Sequence, residues 1–465
     1  MSADAVHDVV GIGIGPFGLG LAALAQPLPD VDAVFLDQAD GFRWHPGMMI
    51  DGATIQVPFL ADLVTMADPT SPYSFLAFLK ATGRLYPFYI RESFYPLRSE
   101  YDEYCRWVAA QLPTLRWRRR VVAVEEEGDL LVVRAEVLDA AGGVVGTESR
   151  RARHVVLGVG TRPVLPAPLR ALADEVARHP SAGPVVHSAR YLPARDALRG
   201  SGSVTVVGSG QSAAEVYRDL LADVQDRDAR VDWVTRSPRF FPMEYTKLTL
   251  EMTSPEYTDH YRSLPAELRE RLGREQRSLS KGISGDLVDD IYDTLYRLSS
   301  GGRSVPSTLL TDTEVVAARY DEATEEHVLT LRHGQLGETR EHRTGAVLAA
   351  TGYRSETPAF LDPVAHRVRL DDRGRLDVSR DYAVDEAERI HVLNGEEHTH
   401  GVTAPDLGFG PWRASVVLAA VTGREPYPIE RRIAFQTFGL PGDAGPAAGA
   451  DPATDTAERF LEAAR

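Results

Sequence analysis

A short motif that occurs twice limits what this chain can fold into. Residues 7–12 (HDVVGI) form an apolar run that reads as a buried strand. Gly13, Gly15 and Gly18 follow as GxGxxG, with Pro16 opening a helix-like run, LGLAALAQ. A second apolar run, DAVFLD, ends at Asp37, 24 residues after Gly13. The layout returns in SVTVVGSGQSAAEVYRDLLADV, where Gly208, Gly210 and Ala213 read GxGxxA around Gln211 and Ser212. Its second strand, RVDWVTR, ends at Arg236. Each copy is strand, glycine turn, helix, strand, the pattern of a dinucleotide-binding βαβ unit. The first glycine makes the turn, the second lets backbone approach a pyrophosphate, and the third packs helix on strand. The helix start then offers free N–H groups to the phosphates.

The copies differ where a ribose would lie. A carboxylate at Asp37 accepts from ribose hydroxyls and repels a 2′-phosphate, whereas a guanidinium at Arg236 suits one through charge-assisted bonds. The first unit therefore reads as an FAD site and the second as an NADPH site. Two further strand-like runs, RHVVLGVGTRPVLP and GAVLAATGYRSETP, mark points where the chain crosses between the units. The expected fold is α/β: two Rossmann-like dinucleotide-binding domains with a small helical substrate-binding insertion. Residues 1–165 and 345–437 form a discontinuous FAD domain, 195–240 and 305–345 the NADPH domain, and 240–305 the insertion. The Pro-, Gly- and Ala-rich stretch at 440–465 reads as a disordered tail.

Composition narrows the chemistry. The 465 residues carry 51 Lys and Arg against 67 Asp and Glu, a formal charge of −16, which disfavours a nucleic-acid partner. Cys105 is the only cysteine, so intrachain disulfides, a CxxC redox pair and a thiolate zinc cluster are excluded. No metal-ligand spacing of His and carboxylates is present, and no metal is expected. No stretch of 18 apolar residues suggests a membrane span, and the first residues lack a signal-peptide layout. A cytoplasmic enzyme is the expectation.

Beyond the glycine turns, five segments are distinctive: VGIGIGPFGLGLAAL, FRWHPGMMIDGATIQVPFLADLVTMADPTSPYSFLAFL, VTVVGSGQSAAEV, LAATGYRSETP and HTHGVTAPDLGFGPWR. On these the chain resembles the flavin-dependent N-hydroxylating monooxygenases of siderophore biosynthesis, the lysine, ornithine and diamine N-hydroxylases. The resemblance runs from about residue 7 to about 437. It implies non-covalent FAD, reduction by NADPH, a C4a-hydroperoxyflavin formed with O₂, and attack on it by a neutral primary amine. The protein then supplies geometry, dryness and hydrogen bonds. An amine of pKa about 10.4 is less than about 1 % neutral at pH 8, a cost of roughly 3 kcal/mol that a low-dielectric pocket offsets by desolvation.

The resemblance also implies roles. Trp44, His45 and Met48 line the flavin or its approach, and Gln56 stands beside the isoalloxazine; Gln56, His45 and Trp44 are the catalytic candidates. Thr351, Gly352 and Tyr353, with His400, Gly401, Pro405 and Leu407, belong to the cofactor-binding set. His398 and His400 lie on a loop expected to close the substrate pocket. Gly183, His187 and Tyr191 give a GxxxHxxxY spacing similar to the linker fingerprint of class B flavin monooxygenases. Related enzymes form dimers or tetramers, which implies a homo-oligomer.

The substrate emerges from departures. Ornithine and lysine hydroxylases carry lysine in an FLKDL segment to hold the substrate carboxylate; here FLADL places Ala61 there. Leu250 replaces an asparagine, and Gly408 a serine seven residues after the glycine of THG. A buried carboxylate without a cation costs several kcal/mol, so a pocket lacking these groups favours a diamine, putrescine or cadaverine. Glu244, Glu251 or Asp406 is expected to accept from the distal ammonium, with Leu407 alongside. L-Lysine is the alternative substrate. A non-hydroxylating flavin redox sensor and a sulfur- or ketone-oxidising flavin monooxygenase are the rival functions.

Overall fold

A computed structural model describes residues 5–440; the expected tail at 441–465 lies outside them. Strand β1 (Val6–Ile12) is apolar on both faces and buried over residues 9–12, as a central parallel strand requires. It runs into helix α1 (Pro16–Ala25) and then strand β2 (Ala33–Leu36). β1 pairs in parallel with β2 and, on its other side, with the long strand Val144–Leu157. That strand continues antiparallel into Leu130–Leu138 and Arg119–Glu127, so one half of the sheet is a parallel nucleotide fold and the other a meander. Ile390–Val392 returns late in the chain to pair with the end of Val144–Leu157. α1 is largely buried and made mostly of small and aliphatic residues; it packs on Gly410–Thr422, the last helix among the described residues.

The second sheet is parallel throughout, in the order Leu309–Leu310, Arg230–Val234, Ser203–Val207, Ala346–Ala349, Val185–His187. An antiparallel meander, Thr313–Asp321, Glu326–His333 and Thr339–Thr344, is attached to it. Two expected boundaries move. Residues 346–349 do not rejoin the first sheet; they sit centrally in the second, between Ser203–Val207 and Val185–His187. Val185–His187 also belongs here, ahead of the expected start at 195. An apolar run such as AVLA fits the middle of either parallel sheet, so its pattern could not assign it. The crossing lies just beyond: Arg162–Pro163 pairs antiparallel with Tyr353–Arg354, so the outgoing and returning chains run side by side.

Residues 240–305 carry helices Lys247–Leu250, Pro255–Ser263, Ala266–Glu275, Ser278–Lys281 and Gly285–Ser299; the last of these buries Ile291 and Leu298 in the core of the second unit, so it belongs there rather than to a separate insertion. Glu251 and Glu256 tie it to the C-terminal segment. Glu256 accepts from the backbone N–H groups of Ile433 and Ala434 at 2.7 and 2.9 Å, and Glu251 from those of Phe435 and Gln436 at 3.0 Å each.

Candidate active site

Both glycine turns stand at the carboxyl ends of parallel strands, where open α/β sheets bind ligands. Gly13 has φ of +98°, and a Cβ there would meet the Gly158 carbonyl oxygen at 2.3 Å, so no other residue fits. Gly15 is different: the space a Cβ would take is empty for 4 Å around. Gly15 is also the N-cap of α1 and carries no capping side chain, which leaves first-turn N–H groups unsatisfied. An empty cradle beside free N–H groups fits a pyrophosphate. The second helix, Gln211–Leu221, likewise starts at Gly210 without a side-chain cap.

Asp37 serves the turn itself. Its carboxylate accepts from Ile14 N at 2.7 Å and from Ala39 N at 2.8 Å. Each oxygen keeps a further lone pair, so a ribose hydroxyl still fits. At the corresponding place in the second unit, Arg236 is exposed and makes no side-chain hydrogen bond or ion pair among the described residues. Beside it, Ser237 donates to Ser209 at 2.9 Å. An unpartnered guanidinium flanked by hydroxyls fits a 2′-phosphate.

Between the units runs a row of rings. Tyr101 and Trp44 have centroids 4.9 Å apart, Trp44 and His45 5.3 Å, His45 and Tyr353 5.9 Å, and Tyr353 and His187 5.1 Å. Trp44 N donates to Asp102 at 2.8 Å, which fixes the start of the turn. His45 then adopts φ of +46°, uncommon for a residue with a side chain. Crowding by protein atoms, and then the Arg98 charge, hold its imidazolium pKa below the usual value. Met48 does not line this row: it is buried in the core of the second unit, near Tyr191. Its expected place beside a flavin is corrected to packing, because the turn at 45–48 crosses onto that unit.

The GxxxHxxxY residues are structural. His187 Nδ1 accepts from Ala189 N at 3.1 Å, so its proton lies on Nε2, which donates to Gly352 O at 3.1 Å. The Gly183 carbonyl accepts from His327 Nε2 at 2.9 Å, and Tyr191 donates to Asp219. Of the three, His187 anchors the crossing segment on which Thr351, Gly352 and Tyr353 sit; the Thr351 hydroxyl donates to Val164 O.

Gln56 is joined to the second unit. Its Nε2 donates to Gln211 Oε1 at 3.0 Å; Gln211 Nε2 donates to Glu215 at 2.9 Å; and Glu215 receives both Arg98 guanidinium nitrogens at 2.7 and 2.8 Å. Arg98 and Glu215 escaped the sequence reading. The four-residue spacing of Gln211 and Glu215 on one helix was a visible signal, but Arg98 lies 117 residues from Glu215. Ser212 follows Gln211 in the first turn of the same helix, half-buried.

The loop after THG is held from behind. Arg413, fully buried, pairs with Glu396 at 2.9 Å and donates to the carbonyls of Thr403 and Ala404 at 3.0 and 2.7 Å. Its guanidinium also lies 4.7 Å from the Phe17 ring centroid, linking the loop to α1. Pro405, Asp406, Leu407 and Gly408 are half-buried along this loop. Asp406 accepts from Phe409 N at 2.8 Å, and burial raises its carboxyl pKa despite Arg413. A Cβ on Gly408 would stand 3.1 Å from Asp406 Oδ1 and 3.5 Å from the Ala61 Cβ. Ala61, far away in the chain, therefore meets Asp406 and Gly408.

Other expected residues fall elsewhere. His400 has no exposure, stacks on Tyr382 at 4.7 Å, and engages Thr399 and Arg380 through its two nitrogens. It has no face for a cofactor, and the expected contact is corrected to core packing; Gly401, also buried, lies against Tyr261. His398 Nε2 donates to Leu376 O at 2.8 Å. Glu251 is committed to the 435–436 backbone, which also lowers its pKa, and Glu244 is exposed and accepts from Thr249. Leu250 is 48 % exposed, no part of a buried pocket wall.

This geometry matches known proteins. The family model described as L-lysine 6-monooxygenase/L-ornithine 5-monooxygenase matches residues 5–355. The putrescine N-hydroxylase of Shewanella oneidensis is 45 % identical over 436 residues, covering 93 % of this chain and 84 % of that protein. The crystal structure of the FAD-bound cadaverine monooxygenase DfoA of Erwinia amylovora superposes with a TM-score of 0.89 at 44 % identity, covering 95 % of this chain and all of that one. The ornithine N-hydroxylase KtzI of Kutzneria, solved with reduced FAD, NADP⁺ and L-ornithine, gives 0.79 at 27 % identity, covering 90 % and 99 %. A motif set spread over the whole chain, a shared fold and close relatives agree, and the chain belongs to the L-lysine 6-monooxygenase/L-ornithine 5-monooxygenase family.

Proposed function

We propose that this protein hydroxylates one terminal amine of a small aliphatic diamine, putrescine or cadaverine, with NADPH and O₂, for a hydroxamate siderophore. The observation that carries the substrate is the meeting of Ala61, Asp406 and Gly408. A carboxylate stands there with no side-chain cation beyond the distant pull of Arg413, so the position suits an ammonium and opposes a substrate carboxylate. Of the three acidic candidates Asp406 alone is half-buried at the loop and not committed at both oxygens. The diamine relatives support the same reading.

FAD, held without a covalent bond and reduced by NADPH, supplies the oxygen chemistry. The first sheet with its Gly13–Gly18 turn, Asp37 and the returning chain after residue 350 would hold it; the second, with Gly208, Gly210, Ser212 and Arg236, would hold NADPH. Trp44, His45 and Tyr353 form the wall between them. Asp406 would orient the distal ammonium, and the apolar surroundings of Ala61 and Leu407 would keep the reacting amine neutral. Gln56 offers an amide at the same cleft. A homo-oligomer goes with this reading: Tyr86, Tyr89, Ile90 and Phe94 are each more than 60 % exposed on one short stretch, an apolar face suited to a second copy. A cytoplasmic location goes with it too, since NADPH is supplied there.

The test is hydroxylamine formation by the FAD-loaded protein with NADPH, O₂ and each of putrescine, cadaverine, L-lysine and L-ornithine, with peroxide measured in parallel. Product from a diamine is expected. Product from L-lysine alone would overturn the substrate, and peroxide without hydroxylamine would favour a redox flavoprotein.

A further inference from the structure

Gln211 was expected to touch a nucleotide. Its side chain is spent otherwise. Glu215 is a carboxylate, an acceptor, so the Gln211 end facing it at 2.9 Å must be the NH₂. The Ser284 backbone N–H is a donor, so the end facing it at 2.9 Å must be the carbonyl oxygen. These two constraints come from opposite sides and agree. Glu215 is itself immobile: 6 % exposed and clamped by both arms of Arg98, which also donates to Met48 O at 2.8 Å. Ser284 stands at the N-cap of the helix Gly285–Ser299, which packs in the second unit's core, so two segments of that unit and, through Gln56, the first unit meet at this one amide.

The polarity passes on. Gln211 Oε1 faces Gln56 at 3.0 Å, so Gln56 must present its NH₂ to it. The Gln56 carbonyl oxygen is then left with no partner among the described residues, and it is not a buried orphan. We infer that Gln211 is a positioning residue that fixes the Gln56 amide so that its carbonyl oxygen, rather than its NH₂, meets an N–H donor in the cleft. The inference rests on the functional reading above. The donor is an N–H group of the amine substrate or of the flavin ring. A free amide would sample both orientations, and the wrong one sets donor against donor.

The experiment uses the FAD-loaded protein and three variants, Gln56→Met, Gln211→Met and the double variant. Methionine keeps the length of the side chain and removes the amide. Three quantities are measured: hydroxylamine formed per NADPH, the dissociation constant of putrescine for the oxidised protein by calorimetry, and exchange protection of the Gln56 side-chain N–H in selectively ¹⁵N-glutamine-labelled protein. Gln211→Met is expected to lose the protected Gln56 proton and to lower coupling about three- to tenfold, the worth of one hydrogen bond. The double variant is expected to be no worse than Gln56→Met, because Gln211 acts through Gln56. A weaker putrescine affinity in Gln211→Met assigns the donor to the amine; an unchanged affinity with more peroxide assigns it to the flavin. Losses that add in the double variant, or a Gln56 proton as protected in Gln211→Met as before, would overturn the inference. A wild-type protein that makes no hydroxylamine from any amine would defeat the functional reading instead, while the proton protection would still judge the orientation of Gln56.

Discussion

Gly408 stands against Ala61: a methyl group built on Gly408 would lie 3.5 Å from the Ala61 Cβ. Two small residues, Ala61 buried and Gly408 half-buried, pack there and bring no charge. Lysine at 61 would bring a cation up to Asp406. Ala61→Lys is expected to raise the diamine KM at least about tenfold, since the new ammonium competes for the carboxylate that the substrate needs. The ratio of kcat/KM for putrescine over L-lysine checks it. A ratio that does not fall would remove Ala61 from specificity.

Asp406 allows a sharper test. Asn at this position still accepts from Phe409 N, so the loop keeps its 2.8 Å bond. What is lost is charge. Asp406→Asn is expected to weaken diamine binding about 10- to 100-fold, the range for a hydrogen bond to a charged group, with little change in Tm. Burial raises the Asp406 pKa. In the free protein the carboxyl therefore holds its proton to higher pH than an exposed aspartate, and a bound ammonium favours the ionised form. Binding should tighten as pH rises through that raised pKa, and the dependence should vanish in Asp406→Asn. Titration calorimetry across acid pH reads both.

How much of this was legible follows from what a pattern can encode. The glycine turns were, because strand, GxGxxG and helix lie within a few consecutive residues, although the close approach of Gly158 to Gly13 was not. The departures at 61 and 408 were readable against a family, though not their contact, which needs a fold spanning the whole chain. The strand 346–349 was misplaced because AVLA carries no information on which sheet it joins. His400 misled for a related reason. A polar residue beside a substrate loop reads as functional, yet the buried Arg413–Glu396 pair and Tyr382 fold it inward.

Arg236 offers the simplest variant. It has no partner among the described residues, so its loss costs the fold almost nothing. Arg236→Ser is expected to raise the NADPH KM about tenfold or more and to leave the NADH KM nearly unchanged, since only NADPH carries the 2′-phosphate. Steady-state flavin reduction with both nucleotides decides it. An equal effect on both would mean that Arg236 acts on the fold or on shared phosphates.

Acid should unfold this protein early, and the reason is in its histidines. His327, His391 and His400 have no exposure, and burial lowers the pKa of each, that of His391 to about 4. In the unfolded chain each returns to about 6.5. The unfolded state therefore binds more protons below that pH, and stability falls as pH drops. The loss begins near 6.5 and continues to the folded pKa, on the order of 1 kcal/mol per pH unit for each histidine. Above 7.5 the same groups are neutral in both states and contribute no slope. His327→Gln separates titration from packing, because glutamine can still donate to the Gly183 carbonyl that His327 meets at 2.9 Å. Tm measured from pH 7.5 to 5 should fall less steeply in this variant than in the wild type. Parallel curves would mean that His327 is protonated in the folded protein, against the burial of its ring.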